Sequence, residues 1–84
     1  MLFHVTSVFA RSYDALDEED AFVVDQVITR IVAEHDRAWA RQNRVVGEEG
    51  EAWIVPGRSR RSEFRVYWTY LDDDVIVFLA LLYV

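Results

Sequence analysis

An arginine-rich stretch in the last third of the chain holds the side chains with the clearest potential for chemistry. Four of the nine arginines lie between positions 58 and 65: Arg58, Arg60, Arg61 and Arg65. A guanidinium group presents a planar fork of donors that matches phosphate oxygens, so arginines this close together indicate a phosphate-binding or RNA-binding site. The alternatives are a solvated loop whose arginines pair with the chain's own acids, or a surface that faces a protein partner.

Arg65 differs from the other three because it alternates with the apolar residues of a predicted strand. Phe64 and Val66 share one face of that strand, whereas Arg65 and Tyr67 share the other. An arginine and a tyrosine on one open sheet face can hold a phosphate and stack on a base. The alternative interpretation is that Arg65 is a structural residue covering the sheet.

Other residue types give weaker signals. His35 falls on the apolar face of a predicted helix, where we interpret it as a core or boundary residue, and the chain has no cysteine. The aspartates at 72–74 are consecutive, so their side chains point in different directions, and we interpret them as a charged turn rather than a cation site. We therefore expect neither a metal ion nor another cofactor.

Length, charge and hydropathy limit the possible functions. Eighty-four residues make one domain, spanning 1–84. The formal net charge of −6 argues against nucleic-acid binding by the whole surface, but it is compatible with a small basic site. The longest apolar run, over 75–84, has about half the length of a membrane span, and the N-terminus lacks the features of a signal peptide. We expect a cytoplasmic protein.

Local periodicity predicts one strand and two helices in the first half. Alternation over 2–7 predicts a short strand, and an apolar face over 8–16 predicts a short helix. Asp17, followed by further acids, is a suitable N-cap for a second helix. Apolar residues then recur at three- and four-residue steps as far as Trp39, which predicts an amphipathic helix of about six turns.

Strands fill the second half. A short strand over 52–55 is stopped by Pro56-Gly57, and a strand over 64–71 follows. The run over 75–82 has no polar interruption, which predicts a strand in the middle of a sheet with both faces covered. The order β-α-α-β-β-β predicts an α+β fold with two N-terminal helices packed on a mostly antiparallel four-stranded sheet.

This order, together with short motifs near both ends, resembles the RelE/ParE family of toxins from type II toxin–antitoxin systems. The motifs are Phe3-His4-Val5-Thr6 followed by VFARSYDAL over 8–16, then Phe64-Arg65-Val66-Tyr67-Trp68, Asp72-Asp73 and Val75-Ile76-Val77-Phe78. The resemblance implies an antitoxin protein as partner. It also implies one of two toxic activities, which are ribosome-dependent cleavage of mRNA and poisoning of gyrase.

The resemblance also suggests residue roles for a nuclease. Arg65 stands at the position of the family's central strand arginine, which would hold the scissile phosphate. Arg58, Arg60 or Arg61 would assist it, and Tyr83 is the candidate for proton transfer. Arg58 and Arg60 lie in a segment where the family carries further basic residues. The candidate catalytic residues are Arg65, Arg61 and Tyr83, and the candidate RNA- or phosphate-binding residues are Arg58, Arg60 and Tyr67.

Two departures from the family pattern keep a second class of function open. Nucleases of the family place basic or acidic residues where this chain has Trp53, Ile54, Val55 and Pro56, and most are strongly basic. The alternative hypothesis is a non-catalytic protein-interaction module of the same fold. Such a module would bind a protein partner, or form a homodimer, through exposed aromatic residues and an edge strand.

Overall fold

Two α-helices and a short 3-10 helix lie on one face of a five-stranded sheet in a computed structural model, which describes residues 2–48 and 50–84. The elements are β1 Leu2–Val5, α1 Ser7–Asp14, α2 Glu18–Glu34, the 3-10 helix Ala38–Arg41, β2 Arg44–Gly47, β3 Gly50–Arg58, β4 Glu63–Asp72 and β5 Val75–Tyr83. The strand order is β1-β5-β4-β3-β2, with β1 parallel to β5 and the other neighbours antiparallel. The predicted α+β class is confirmed, but the sheet is mixed and has five strands rather than four.

The strand that the sequence did not predict is β2. All four of its residues are exposed, so it lacks the alternation of buried and exposed positions that identifies a strand. It forms a hairpin with β3, in which Gly47 stands opposite Gly50. Gly50 has a φ of 122°, a conformation that favours glycine because it has no Cβ.

Side-chain caps define where both helices begin. Thr6 accepts a hydrogen bond from the Phe9 N–H and donates one to the Leu79 carbonyl at 2.7 Å, which ties the start of α1 to β5. Asp17 accepts a hydrogen bond from the Asp20 N–H at 2.9 Å. The predicted cap of α2 is therefore confirmed.

The predicted end of α2 is wrong, because the helix stops at Glu34 and does not continue to Trp39. No glycine or proline marks this end in the sequence. Local side-chain hydrogen bonds form at this end: Arg41 Nε donates to the His35 main-chain carbonyl at 2.9 Å, and Trp39 Nε1 donates to the side-chain carboxylate of Glu34 at 3.2 Å. The break lets the 3-10 helix bury Ala40 against the sheet.

Strand β3 passes through Pro56, where the sequence predicted that it would stop. Ile54 exchanges hydrogen bonds with Asn43 just before β2, so its backbone polar groups face the β2 side. Pro56, two residues later, has its nitrogen on the same side. It lies beyond the end of β2, where no partner strand requires an N–H donor.

The core lies between the helices and the inner face of the sheet. Phe64, Val66 and Trp68 of β4 are buried as their alternation predicted, against Val24 and Ile31 of α2. Among the described residues, no helix is long and apolar enough to cross a membrane.

Strand β5 departs from its predicted environment. Ile76 and Phe78 are buried beneath the helices, as expected. On the opposite face no described element covers β5, and Leu82 there is 47% exposed. The prediction that both faces of this strand are covered is therefore wrong for the isolated chain.

Candidate functional site

The arginine-rich stretch forms the hairpin between β3 and β4 and lies beside the acidic start of α2. Its guanidinium groups are exposed to solvent, and three of them also contact carboxylates of the chain's own fold. The ion pairs are Arg58 Nε to Glu63 Oε1 at 3.6 Å, Arg60 Nε to Glu19 Oε1 at 3.1 Å, and Arg61 Nη2 to Asp17 Oδ2 at 2.8 Å. The structure thus brings these three candidate residues together, but pairs each of them with a carboxylate.

These ion pairs are open to solvent. The hydrogen bond from Arg60 lowers the pKa of Glu19, and the same bond raises the pKa of Arg60. The Arg60 side chain is 88% exposed and that of Arg61 is 68% exposed, so water and salt screen both contacts. The pairs position the hairpin, and an external phosphate would have to compete with the carboxylates for the same donors.

A buried carboxylate lies under the hairpin and was not singled out from the sequence. Asp20 is only 5% exposed. Its Oδ1 accepts a hydrogen bond from Ser59 at 2.7 Å, and its Oδ2 accepts longer ones, both 3.4 Å, from Ser62 and Tyr83. Three hydroxyl groups from the hairpin and from β5 therefore converge on one residue of α2. Nothing in the sequence joins these positions, because the contacts span 39 to 63 residues.

Tyr83, the candidate for proton transfer, belongs to this buried cluster. Desolvation, followed by the negative charge of Asp20, raises the pKa of Tyr83. Tyr83 as a whole is 57% exposed, and its ring packs on that of Phe64 with the ring centres 5.0 Å apart. A tyrosine with a raised pKa that already donates to a carboxylate is a weaker proton donor, and this geometry suits a structural role.

Arg65 and Tyr67 lie on the sheet face opposite the helices, which we call the open face. Arg65 stands between Pro56 of β3 and Leu82 of β5. Within residues 2–48 and 50–84, no carboxylate lies within ion-pairing distance of Arg65. It is therefore the one member of the arginine-rich stretch with no ion pair in this part of the chain.

A cluster of polar side chains at the end of α2 was also not predicted as a site. The Tyr70 hydroxyl lies 2.6 Å from His35 Nδ1 and accepts a hydrogen bond from Arg41. An imidazole, a phenol and a guanidinium in contact have the groups needed for acid–base chemistry. The same contacts also hold the end of α2 and the 3-10 helix against β4. Tyr70 packs edge-on against Trp68. His35 is half-buried, which confirms its interpretation as a boundary residue.

An apolar groove of about 740 Å³ runs between β1, α1 and α2. Apolar and aromatic side chains form most of its wall, and acidic groups lie along it. The lining includes Phe3, Val5, Phe9, Tyr13, Ile28 and Val32, with the carboxylates of Asp14 and Asp25. Strand β1 is the end of the sheet, and no strand of residues 2–48 and 50–84 pairs with its outer edge, which adjoins this groove.

The Tyr13–Asp25 contact in this groove predicts a loss of stability at alkaline pH. The hydrogen bond to Asp25, at 2.7 Å, raises the pKa of Tyr13, and desolvation and the charges of Asp25 and Asp14 add to this effect. Because the folded chain holds this proton more tightly than the unfolded chain, the stabilisation is complete below about pH 10 and is lost as the pH rises through the raised pKa.

Urea unfolding across the alkaline range tests this expectation. The parent should lose stability more steeply with rising pH than Tyr13→Phe, which has no proton to lose at this position. Equal slopes for the two proteins would contradict the prediction. Tyrosinate absorbance of the folded parent, compared with Tyr13→Phe, reports the same titration directly.

Comparison with protein-family models, curated proteins and solved structures found no match to this chain. Possible functions of the groove, the open face and the arginine hairpin therefore follow from the residues that form them.

Proposed function

We propose that this chain is the toxin-like component of a type II toxin–antitoxin system and that an antitoxin protein binds along β1. The observation that carries this proposal is the combination of an unpaired strand edge with an apolar groove beside it. Phe3 is 48% exposed and Val5 is 45% exposed at that edge. An unpaired edge offers backbone hydrogen bonds to an incoming strand, and the groove offers burial to its apolar side chains.

The charges around the groove indicate the chemistry of the partner segment. Asp14 and Asp25 line the groove, and the chain has a formal net charge of −6. A segment that alternates apolar residues with arginine or lysine would match both the groove and its carboxylates. The order of the helices and of the last three strands agrees with the pattern on which the family resemblance rests, and supports this proposal.

Binding to the product of an adjacent antitoxin-like reading frame tests the proposal. In Val5→Glu, a charge replaces an apolar group at the groove, and we expect at least about 30-fold weaker binding, as for loss of a hot-spot contact of about 2 kcal/mol. Val46→Glu is the matched control, because Val46 is 65% exposed on β2 at the other end of the sheet. Equal losses in the two variants would exclude the β1 edge as the binding site.

A second candidate function is ribosome-dependent cleavage of mRNA, and the position of Arg65 favours it. Arg65 is exposed beside Tyr67 on the open face, where its guanidinium can reach a phosphate. Arg61 and Tyr83 already contact Asp17 and Asp20. Catalysis would therefore depend first on Arg65. Arg58 and Arg60 could bind an RNA phosphate only if the phosphate displaced the carboxylates that they now contact.

Induction in bacteria, with growth and mRNA cleavage as readouts, tests this second function. A nuclease arrests growth, and Arg65→Ala abolishes both arrest and cleavage. Arg37→Ala is the control, because Arg37 is exposed at the start of the 3-10 helix, away from the open face. DNA damage without mRNA cleavage indicates a gyrase poison. Antitoxin binding without growth arrest indicates the non-catalytic interaction module.

A further inference from the structure

The open face carries apolar residues on all five strands, with polar residues such as His4, Arg65 and Thr69 among them. Its strand-by-strand members include Leu2, Val45, Ile54, Tyr67, Val77 and Leu82. Leu2 and Val45 are 71% and 43% exposed at the two outer strands, and Leu82 is 47% exposed near the middle. The helices cover only the other face, so this surface has no described covering layer.

The area of this face is large enough to form a protein–protein interface. With strands about 4.8 Å apart and a mean strand length of about 25 Å, the five-stranded face, with its polar residues, measures roughly 600 Å². The apolar patch within it falls in the range of the largest patches on monomers, about 300–600 Å², which are often functional. Two such faces packed together bury roughly 1,200 Å², the lower end of the range for specific interfaces.

We propose that a second copy of this chain covers the open face, which forms a two-fold dimer with the two sheets packed face to face. A two-fold interface brings one surface against itself, so the surface must be self-complementary. The apolar residues satisfy this requirement in any arrangement. On β4, Glu63 of this face is paired with Arg58 of its own chain, and the two remaining charged residues, Arg65 and Asp72, meet opposite charges in only one arrangement.

Strand β4 is the third of the five strands, so it packs across β4 of the second copy in any two-fold arrangement centred on the face. Arg65 lies near one end of β4. Asp72 lies at the other end of β4. A shift in register between Tyr70 and Asp72 pairs Asp72 with Val75, which places Asp72 on the open face.

The direction of the two-fold axis then decides which charges meet. An axis parallel to the strands places Arg65 against Arg65 of the second copy, which is repulsive. An axis perpendicular to the strands reverses β4 and places Arg65 against Asp72, twice. Packed sheets lie about 10 Å apart, a gap that an arginine and an aspartate can bridge. We therefore assign the antiparallel arrangement of the two β4 strands.

This dimer accounts for the composition of β5. The strand carries Val77, Ala80 and Leu82 on the open face, although a strand with one solvated face normally alternates with polar residues. The second copy supplies the missing cover. It also covers Arg65, so binding of a phosphate by Arg65 and formation of this dimer exclude one another.

Sedimentation equilibrium of the full chain alone, from low to several hundred micromolar, tests the dimer independently of any antitoxin. We expect the parent to dimerise and Leu82→Glu to raise the dissociation constant at least 30-fold. Phe22→Glu is the matched control, because Phe22 is 63% exposed on α2 in the other layer, and it should leave the dimer unchanged. Circular dichroism of each variant verifies that it is folded.

Charge variants test the arrangement without touching an apolar side chain. Asp72→Asn retains the acceptor for the Asp74 N–H but removes the charge, and should weaken the dimer. Arg65→Asp and Asp72→Arg should each weaken it further, and the double variant should restore it. Arg11→Asp on α1 and Asp36→Arg just after α2 make the same charge changes at exposed positions of the helical layer and should have no effect.

Two results would overturn the proposal. One is a parent chain that stays monomeric at every concentration, which would leave the open face to another occupant. The other is a dimer that withstands Leu82→Glu but is lost in Val5→Glu, which would place the contact at β1. Failure of the charge swap to restore the dimer would overturn the antiparallel arrangement.

Discussion

Replacement of Trp68 by alanine is expected to lower the free energy of unfolding by about 3–5 kcal/mol, the usual cost of removing a large buried aromatic residue. Trp68 is fully buried in β4, and its ring packs against Trp53, with the ring centres 4.9 Å apart. Its Nε1 donates to the Ala40 carbonyl at 3.0 Å. The substitution therefore leaves a cavity and also an unsatisfied carbonyl in the 3-10 helix.

The size of this effect approaches the whole stability of many small domains, which is about 5–15 kcal/mol. Trp39→Ala is the matched control, because Trp39 is half-buried and stacks under the exposed guanidinium of Arg30. Trp68→Phe separates the two contributions, since it retains an aromatic ring but loses the hydrogen bond. Urea denaturation of the three variants measures the differences. A smaller loss for Trp68→Ala than for Trp39→Ala would show that the core is not centred on β4.

Replacement of Asp20 by alanine is expected to cost about 2–3 kcal/mol, because it removes the buried acceptor of the hairpin hydroxyls. Ser59 and Ser62 come from the hairpin, and Tyr83 comes from β5. Without the carboxylate, the buried Ser59 hydroxyl keeps only the Ser62 carbonyl, at 3.5 Å, as an acceptor. The ion pairs that still join the arginine hairpin to the start of α2 are exposed and contribute little.

A double-mutant cycle isolates the central contact of this cluster. We expect Asp20→Ala and Ser59→Ala to be coupled, so that the double variant is more stable than the sum of the single losses predicts, by about 0.5–3 kcal/mol. The pair Asp20→Ala and Val46→Ala is the control, because Val46 lies at the far edge of the sheet. Additive losses for Asp20 and Ser59 would mean that their 2.7 Å contact contributes nothing beyond each residue alone.

Much of the fold could be predicted because its signals are local. Asp17 is predicted to be a helix N-cap because it precedes an acidic first turn and an amphipathic repeat. The structure confirms this cap. The alternation of Phe64, Val66 and Trp68 predicted a buried strand face. The end of α2 and the strand β2 were mispredicted, because contacts of His35 and Arg41 with Tyr70 form at the first and pairing with β3 forms the second.

The candidate sites were less predictable, because their contacts join distant positions. The sequence identified the arginines between 58 and 65, and left open whether phosphate or the chain's own acids would face them. Only the packing of the hairpin on α2 pairs Arg60 with Glu19 and Arg61 with Asp17. The same packing buries Asp20, which has no local signature of a buried residue.

The sequence by itself determined the α+β class, the helix starts, the inner face of β4 and the position of Arg65 on the opposite face, because each follows from residue spacing. The tertiary structure alone decided which arginines are ion-paired, where the groove beside β1 lies, and that one face of the sheet is uncovered. These features depend on contacts between elements that are far apart in the chain, and the composition of any single element does not encode them.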